Sequence, residues 1–142
     1  MRPPLTTNTP IDEIIENFSF LEEWDDRYGY LIELGKSLTP LSDEQMIDLN
    51  KVQGCVSQVW LVHENNQGVL TFNGMSDAHI VRGLVAIALS IFSGKSAEDI
   101  LKTDEQDIFN SVGLQEHLTP QRANGLRSMV QRIKAIAQVS LA

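Results

Sequence analysis

The chain carries one cysteine, Cys55, in 142 residues, and that scarcity limits its chemistry. A solitary thiol forms no internal disulfide and builds no thiolate metal cage. Any role it has is as a lone nucleophile or as the lone acceptor of a transferred group. It also fits a reducing compartment, so the expected location is cytoplasmic. Long hydrophobic runs are missing too. The longest apolar stretch, Ile80 to Phe92, is interrupted by Arg82 and Gly83 and is too short to cross a bilayer. The start, Met1 to Pro10, is polar and lacks the apolar centre of a secretory signal. Basic charge is scarce, with 11 Lys and Arg against 19 Asp and Glu, for a formal net charge of -8. Residues 1–50 hold eleven of the acids and three of the bases, so the acidic excess is N-terminal. Phosphate backbones and anionic lipids demand a basic footprint, so neither nucleic acid nor membrane is expected as a partner. A basic protein surface remains compatible, although a solvated helix face accounts for the same charge.

What is present suffices for a core. Hydrophobic residues make up 42% of the chain, normal for a folded protein. One domain over residues 1–142 is expected, with residues 1–9 as a flexible tail. Thr9-Pro10-Ile11-Asp12 reads as a cap, a proline at the first helical position and an acid in the first turn. Ile11, Ile14, Ile15 and Phe18 then recur at helical spacing. Ser19 with Glu22 predicts a capping box opening a second helix, whose inward positions are Leu21, Trp24, Tyr28 and Leu31 and whose stop is Gly35. Pro40 and Ser42 to Gln45 predict a turn and a short helix.

From Lys51 the character changes. Val56 to His63 is rich in β-branched and aromatic residues, Asn65-Asn66-Gln67-Gly68 reads as a turn, and Val69 to Phe72 as a returning strand. Val52 and Gln53 predict a short third strand, with Gly54 and Cys55 in the connecting loop. Asp77 to Phe92 reads as a central helix, apolar on most sides, with Asp77 as its starting acid and Gly94 as its end. Ser96 with Asp99, and Thr103 with Gln106, predict the caps of two short helices. Thr119-Pro120 opens a last helix to about Val139. The order predicts an α+β fold, a small antiparallel sheet of about three strands flanked by helices.

Cys55 is the natural centre of any chemistry. A free cysteine often serves only as a small buried hydrophobe. Here it follows a glycine at a loop or strand edge, among the hydrogen-bonding Gln53, Ser57 and Gln58, outside an apolar period. His63, His79 and His117 are the other candidates. None has zinc-type spacing to Cys55 or Asp77, so no metal site is expected. A thiol hydrolase pairing Cys55 with His79 or His117 stays open, since such partners need not be close in sequence. Arg122 sits in the first turn of the last helix, against the helix dipole, where it serves an anion, a carboxylate or only the surface.

Four stretches together are more specific. They are Trp24-Asp25-Asp26-Arg27-Tyr28 with Leu31 to Gly35; Val52-Gln53-Gly54-Cys55 with Ser57-Gln58-Val59-Trp60; Gly74 with Ser76-Asp77-Ala78 and Ile80 to Leu84; and His117-Leu118-Thr119-Pro120 with Arg122, Gly125 and Leu126. In order and spacing, over roughly residues 11–139, they resemble the SufE family of sulfur acceptors, including its CsdE relatives. The resemblance implies a fold similar to IscU-type scaffold proteins. It implies that Cys55 takes persulfide sulfur from a SufS- or CsdA-type cysteine desulfurase, stimulates it, and delivers the sulfur to a SufBCD-like scaffold for iron–sulfur cluster assembly. No resident cofactor is then expected: the persulfide on Cys55 is transient, and pyridoxal phosphate belongs to the desulfurase. No independent turnover is expected either. Gln53, Gly54 and Ser57 would shape the Cys55 loop, and Asp77 and Arg122 match motif positions near it. The alternatives are an iron–sulfur scaffold or a purely allosteric activator of the desulfurase. An unshielded persulfide is open to reductants, so the Cys55 side chain is expected to rest in an apolar pocket walled by Val56, Trp60 and the long helix.

Overall fold

Why the chain folds around its centre is clearest from the segment that reads as apolar on every side. The computed structural model describes residues 10–55, 57–113 and 118–141. Two helices come first, α1 (Ile11–Phe20) and α2 (Trp24–Lys36), and a 3-10 turn follows at Asp48–Asn50. A hairpin of β1 (Val59–Asn66) and β2 (Val69–Ser76) leads into α3 (His79–Phe92). The short strand β3 (Lys95–Ser96) and the helices α4 (Ala97–Lys102), α5 (Glu105–Val112) and α6 (Pro120–Leu141) complete the order. The expected α+β architecture is what forms, with strand order β1-β2-β3 and both pairings antiparallel.

The core is built on α3. Ten of its fourteen residues are buried, among them Leu84, Ile87, Ile91 and Phe92, as its all-round apolar sequence requires. It lies against β2, where a Cβ at Gly74 would meet Val85 Cγ1 at 2.8 Å. On its other side α2 approaches at backbone distance: a Cβ at Gly83 would drive into the Leu31 carbonyl, and one at Gly35 would lie 2.6 Å from Arg82 Cβ. One hydrophobic cluster links these elements to Ile14 and Phe18 of α1, Ile100 of α4, Phe109 of α5 and Met129 and Ile133 of α6.

The hairpin is longer than its sequence cues suggest. Register runs from Val59 opposite Ser76 to Asn66 opposite Val69, so Asn65 and Asn66 belong to the strand and only Gln67 and Gly68 turn. Both have positive φ, 55° and 89°, as a two-residue hairpin loop matching the strand twist requires. The third strand is Lys95–Ser96, paired with Val69 and Leu70, and not Val52–Gln53. The chain at Val52 nevertheless touches the sheet. The Val52 N–H donates to Val59 O at 2.8 Å and Lys51 bridges Trp60, lengthening the free edge of β1 by one step before Gly54 turns the chain away.

Several caps are displaced for local reasons. Ser19 lies inside α1, its hydroxyl donating to Glu16 O at 2.5 Å, and Glu23 precedes α2. Gly35 does not stop α2, which ends at Lys36; its missing side chain serves the α2–α3 contact instead. Ser96 caps α4 as expected, accepting from Asp99 N–H. For α5 the cap is Asp104, which accepts from Gln106 and Asp107 N–H, while the Thr103 hydroxyl turns back to Asp99 O. α1 begins at Ile11 with Pro10 before it; Thr9, Val56 and His117 lie outside the described residues.

Candidate functional site

The Cys55 loop is set by the glycine before it. Gly54 has φ 91°, which a residue with a Cβ adopts only at a cost. A Cβ there would also stand 2.6 Å from Ser128 Oγ on α6. Turned this way, the chain aims Cys55 back at α6, where its thiol donates to Gly125 O at 3.6 Å. The sulfur packs directly on α6: a Cβ at Gly125 would stand at ordinary contact distance, 3.6 Å from Cys55 Sγ. Cys55 is half-buried, and burial pushes its thiol above the ordinary value of 9.0. At neutral pH it is held protonated.

The sulfur borders a cavity of about 200 Å³. Val81 and Leu84 of α3 form one wall, Leu126 and Met129 of α6 another, and Ser57, Thr119, Gln121 and Arg122 line the polar mouth. A cavity therefore borders Cys55, but it is mixed in character rather than apolar, and its walls differ from those expected. The long helix contributes as anticipated, whereas Trp60 faces a different hollow with Met46, Met75 and Asp77. Most of the remainder comes from α6, through Arg122, which the family resemblance sets near the Cys55 loop, and through Gly125, Leu126 and Met129. Gly125 and Leu126 stand in the same motif as Arg122, but helical spacing alone does not pair them with Cys55.

The other predicted residues separate into two groups. Ser57 and Arg122 line the cavity with Cys55. Gly54 acts through its backbone, and Gln53 is exposed and does not line the cavity. Asp77 is not the start of a helix: α3 begins at His79, with Ala78 before it. Its carboxylate accepts instead from the backbone N–H of Gln58 at 3.1 Å and from Gln58 Nε2 at 3.4 Å. Asp77 thus steadies the strand entrance three residues beyond Cys55 without reaching the sulfur. Among the described residues, no histidine lines the cavity. His79 is exposed, and His63 is exposed on β1 with its ring 6.1 Å from that of Phe72. Among the same residues, no group of three or more His, Cys, Asp or Glu is placed to hold a metal, and no helix is long and apolar enough to cross a membrane.

Fold and site together define a protein with a single sheltered thiol, presented by a glycine-hinged loop at a half-apolar cavity. Residues 12–137 match the family described as SufE, Fe-S metabolism associated domain. The chain is 58% identical over 134 residues to an uncharacterized SufE-like protein of Rhizobium meliloti, covering 92% of this chain and 96% of that one. It is 52% identical over 136 residues to another from Rhizobium etli, covering 93% and 92%. This chain belongs to the SufE family, and its role lies in sulfur transfer within iron–sulfur metabolism. The fold is shared with the solution structure of a hypothetical protein from Thermus thermophilus, at a TM-score of 0.74 and 21% identity over 92% of this chain and 95% of that one.

Proposed function

We propose that Cys55 accepts sulfur from the persulfide of a pyridoxal-phosphate cysteine desulfurase of the SufS or CsdA type, stimulates that enzyme, and passes the sulfur to a SufBCD-like scaffold. The Cys55 thiolate attacks the outer sulfur of the donor persulfide. A bond forms between Cys55 Sγ and that sulfur, the donor's S–S bond breaks, and the donor cysteine leaves as thiolate. No net oxidation occurs. The observation that carries this reading is the chain's only thiol, half-buried on α6 at the edge of a cavity of about 200 Å³. A protonated, half-buried thiol is a poor nucleophile at rest, so the loop must swing outward when the donor docks. The acidic N-terminal third favours a donor with a basic face.

A cluster scaffold is disfavoured, because iron–sulfur clusters take several thiolates and this chain has one. The deciding experiment is incubation with a desulfurase and free cysteine, read by intact mass. Cys55 gains one sulfur atom, and the Cys55→Ser protein gains none and loses all stimulation. If the serine variant still stimulates fully, the activation is allosteric and the sulfur-carrier reading fails.

A further inference from the structure

One stripe of α6 holds the whole approach to Cys55. Gly125, Ser128 and Arg132 share a face at helical spacing. Gly125 receives the cysteine and Ser128 abuts Gly54. Arg132, furthest along, reaches the chain before the loop: its Nη2 donates to Leu49 O at 3.0 Å and its Nη1 to Lys51 O at 3.4 Å. The planar guanidinium spans two backbone carbonyls at once, which a single ammonium does less well. On the far side of the loop, Asp77 accepts from Gln58 N–H at 3.1 Å and returns its own N–H to Gln58 O at 3.2 Å. Between these clamps, residues 53–57 make one hydrogen bond among the described residues, the long one from Cys55 Sγ to Gly125 O. The moving part is thus short and both its ends are fixed.

We propose that Arg132 is a positioning residue for sulfur transfer, whose grip on the Leu49 and Lys51 carbonyls fixes the N-terminal hinge of the Cys55 loop and sets how often Cys55 leaves its cavity. Without that grip the N-terminal hinge is held only by the Lys51–Trp60 bridge and the bond from Val52 N–H to Val59 O, and the closed arrangement loses two charge-assisted hydrogen bonds. The consequence for sulfur transfer rests on Cys55 being the acceptor; the clamp itself does not.

Iodoacetamide labelling of Cys55 in the free, full-length protein reads the loop opening directly, since only the open form reacts. Arg132→Ala labels roughly tenfold faster than wild type, equivalent to about 1.4 kcal/mol lost from the closed state. Arg132→Lys, which retains one donor, lies between the two and carries the test should the alanine variant fail to fold. Lys134→Ala on the same helix breaks the 2.8 Å ion pair with Glu105, on the other side of α6 from the loop, and labels at the wild-type rate. Wild-type labelling in both Arg132 variants, or equal acceleration in Lys134→Ala, overturns the clamp. After loading by desulfurase and cysteine, the persulfide of Arg132→Lys is lost to dithiothreitol faster than that of wild type. If the wild-type protein gains no sulfur at all, the carrier reading fails, while the labelling comparison still decides the clamp.

Discussion

Two walls enclose Cys55 and they are built on opposite principles. On the α3 side, Val81 and Leu84 belong to a helix buried nearly all round and wedged between β2 and α2 at backbone distance. On the loop side, the described residues Gln53, Gly54, Cys55 and Ser57 rest on α6 through one long hydrogen bond and the close fit of Gly54 against Ser128. The first wall owes its position to packing that leaves it no alternative place. The second owes its position to a few polar contacts that can be exchanged at little cost. A thiol that must be hidden and then offered needs both, a fixed floor and a lid with few ties.

The largest effect should come from breaking the fixed wall. Gly83→Ala pushes a methyl into the Leu31 backbone, which cannot yield as a flexible side chain would. A loss of about 3 kcal/mol or more is expected in urea unfolding, since overpacking against backbone is the costly kind. Stability near wild type would show that α2 and α3 separate freely, and the contrast between the walls would vanish. Next is the lid. Gly54→Ala imposes positive φ on a residue with a Cβ and crowds Ser128. The closed loop should lose about 1–3 kcal/mol, visible as labelling of Cys55 at least severalfold faster, with global unfolding weakened by no more than that amount because opening the loop relieves the strain. Adding Ser128→Ala should recover the crowding part and leave the strain, which separates the two causes.

The smallest effect is in pH. Burial raises the Cys55 thiol above 9.0 in the folded protein, so above 9.0 the unfolded chain binds fewer protons than the folded one. The associated stability is therefore complete below 9.0 and is lost as pH climbs through the folded value. Relative to Cys55→Ser, the wild-type protein should become progressively less stable in that alkaline window, while the difference between the two stays constant around neutral pH. Parallel curves throughout would mean that the thiol is as solvated folded as unfolded.

The same division governs what could be read in the sequence. Elements fixed by local chemistry were legible: the α3 helix from its apolar run, the hairpin from its β-branched strands, the Ser96 cap with Asp99, and the turn at Gly54 that precedes Cys55. What failed depended on partners distant along the chain. Lys95–Ser96 becomes a strand only because the start of β2 pairs with it. Asp77 carries the signature of a helix cap and instead binds Gln58, nineteen residues earlier. The α6 side of the cavity meets Cys55 seventy residues later, through a glycine carbonyl; the family resemblance places Arg122 near the loop, but periodicity and capping signals do not announce the meeting. Likewise Arg132 has the sequence context of an ordinary polar-face arginine, and its two carbonyl partners lie more than eighty residues upstream.

The two-residue turn at Gln67 and Gly68 has a practical use. It closes the hairpin at the end opposite Val59, a strand length of about 24 Å away, and its exposed Gln67 already carries a side chain, whereas the φ of 89° reserves the next position for Gly68. A second cysteine or a dye placed at Gln67 lies far beyond disulfide reach of the native one. A reporter at the turn therefore sits apart from the Cys55 loop, and paired with a second label on that loop it follows the loop's excursions.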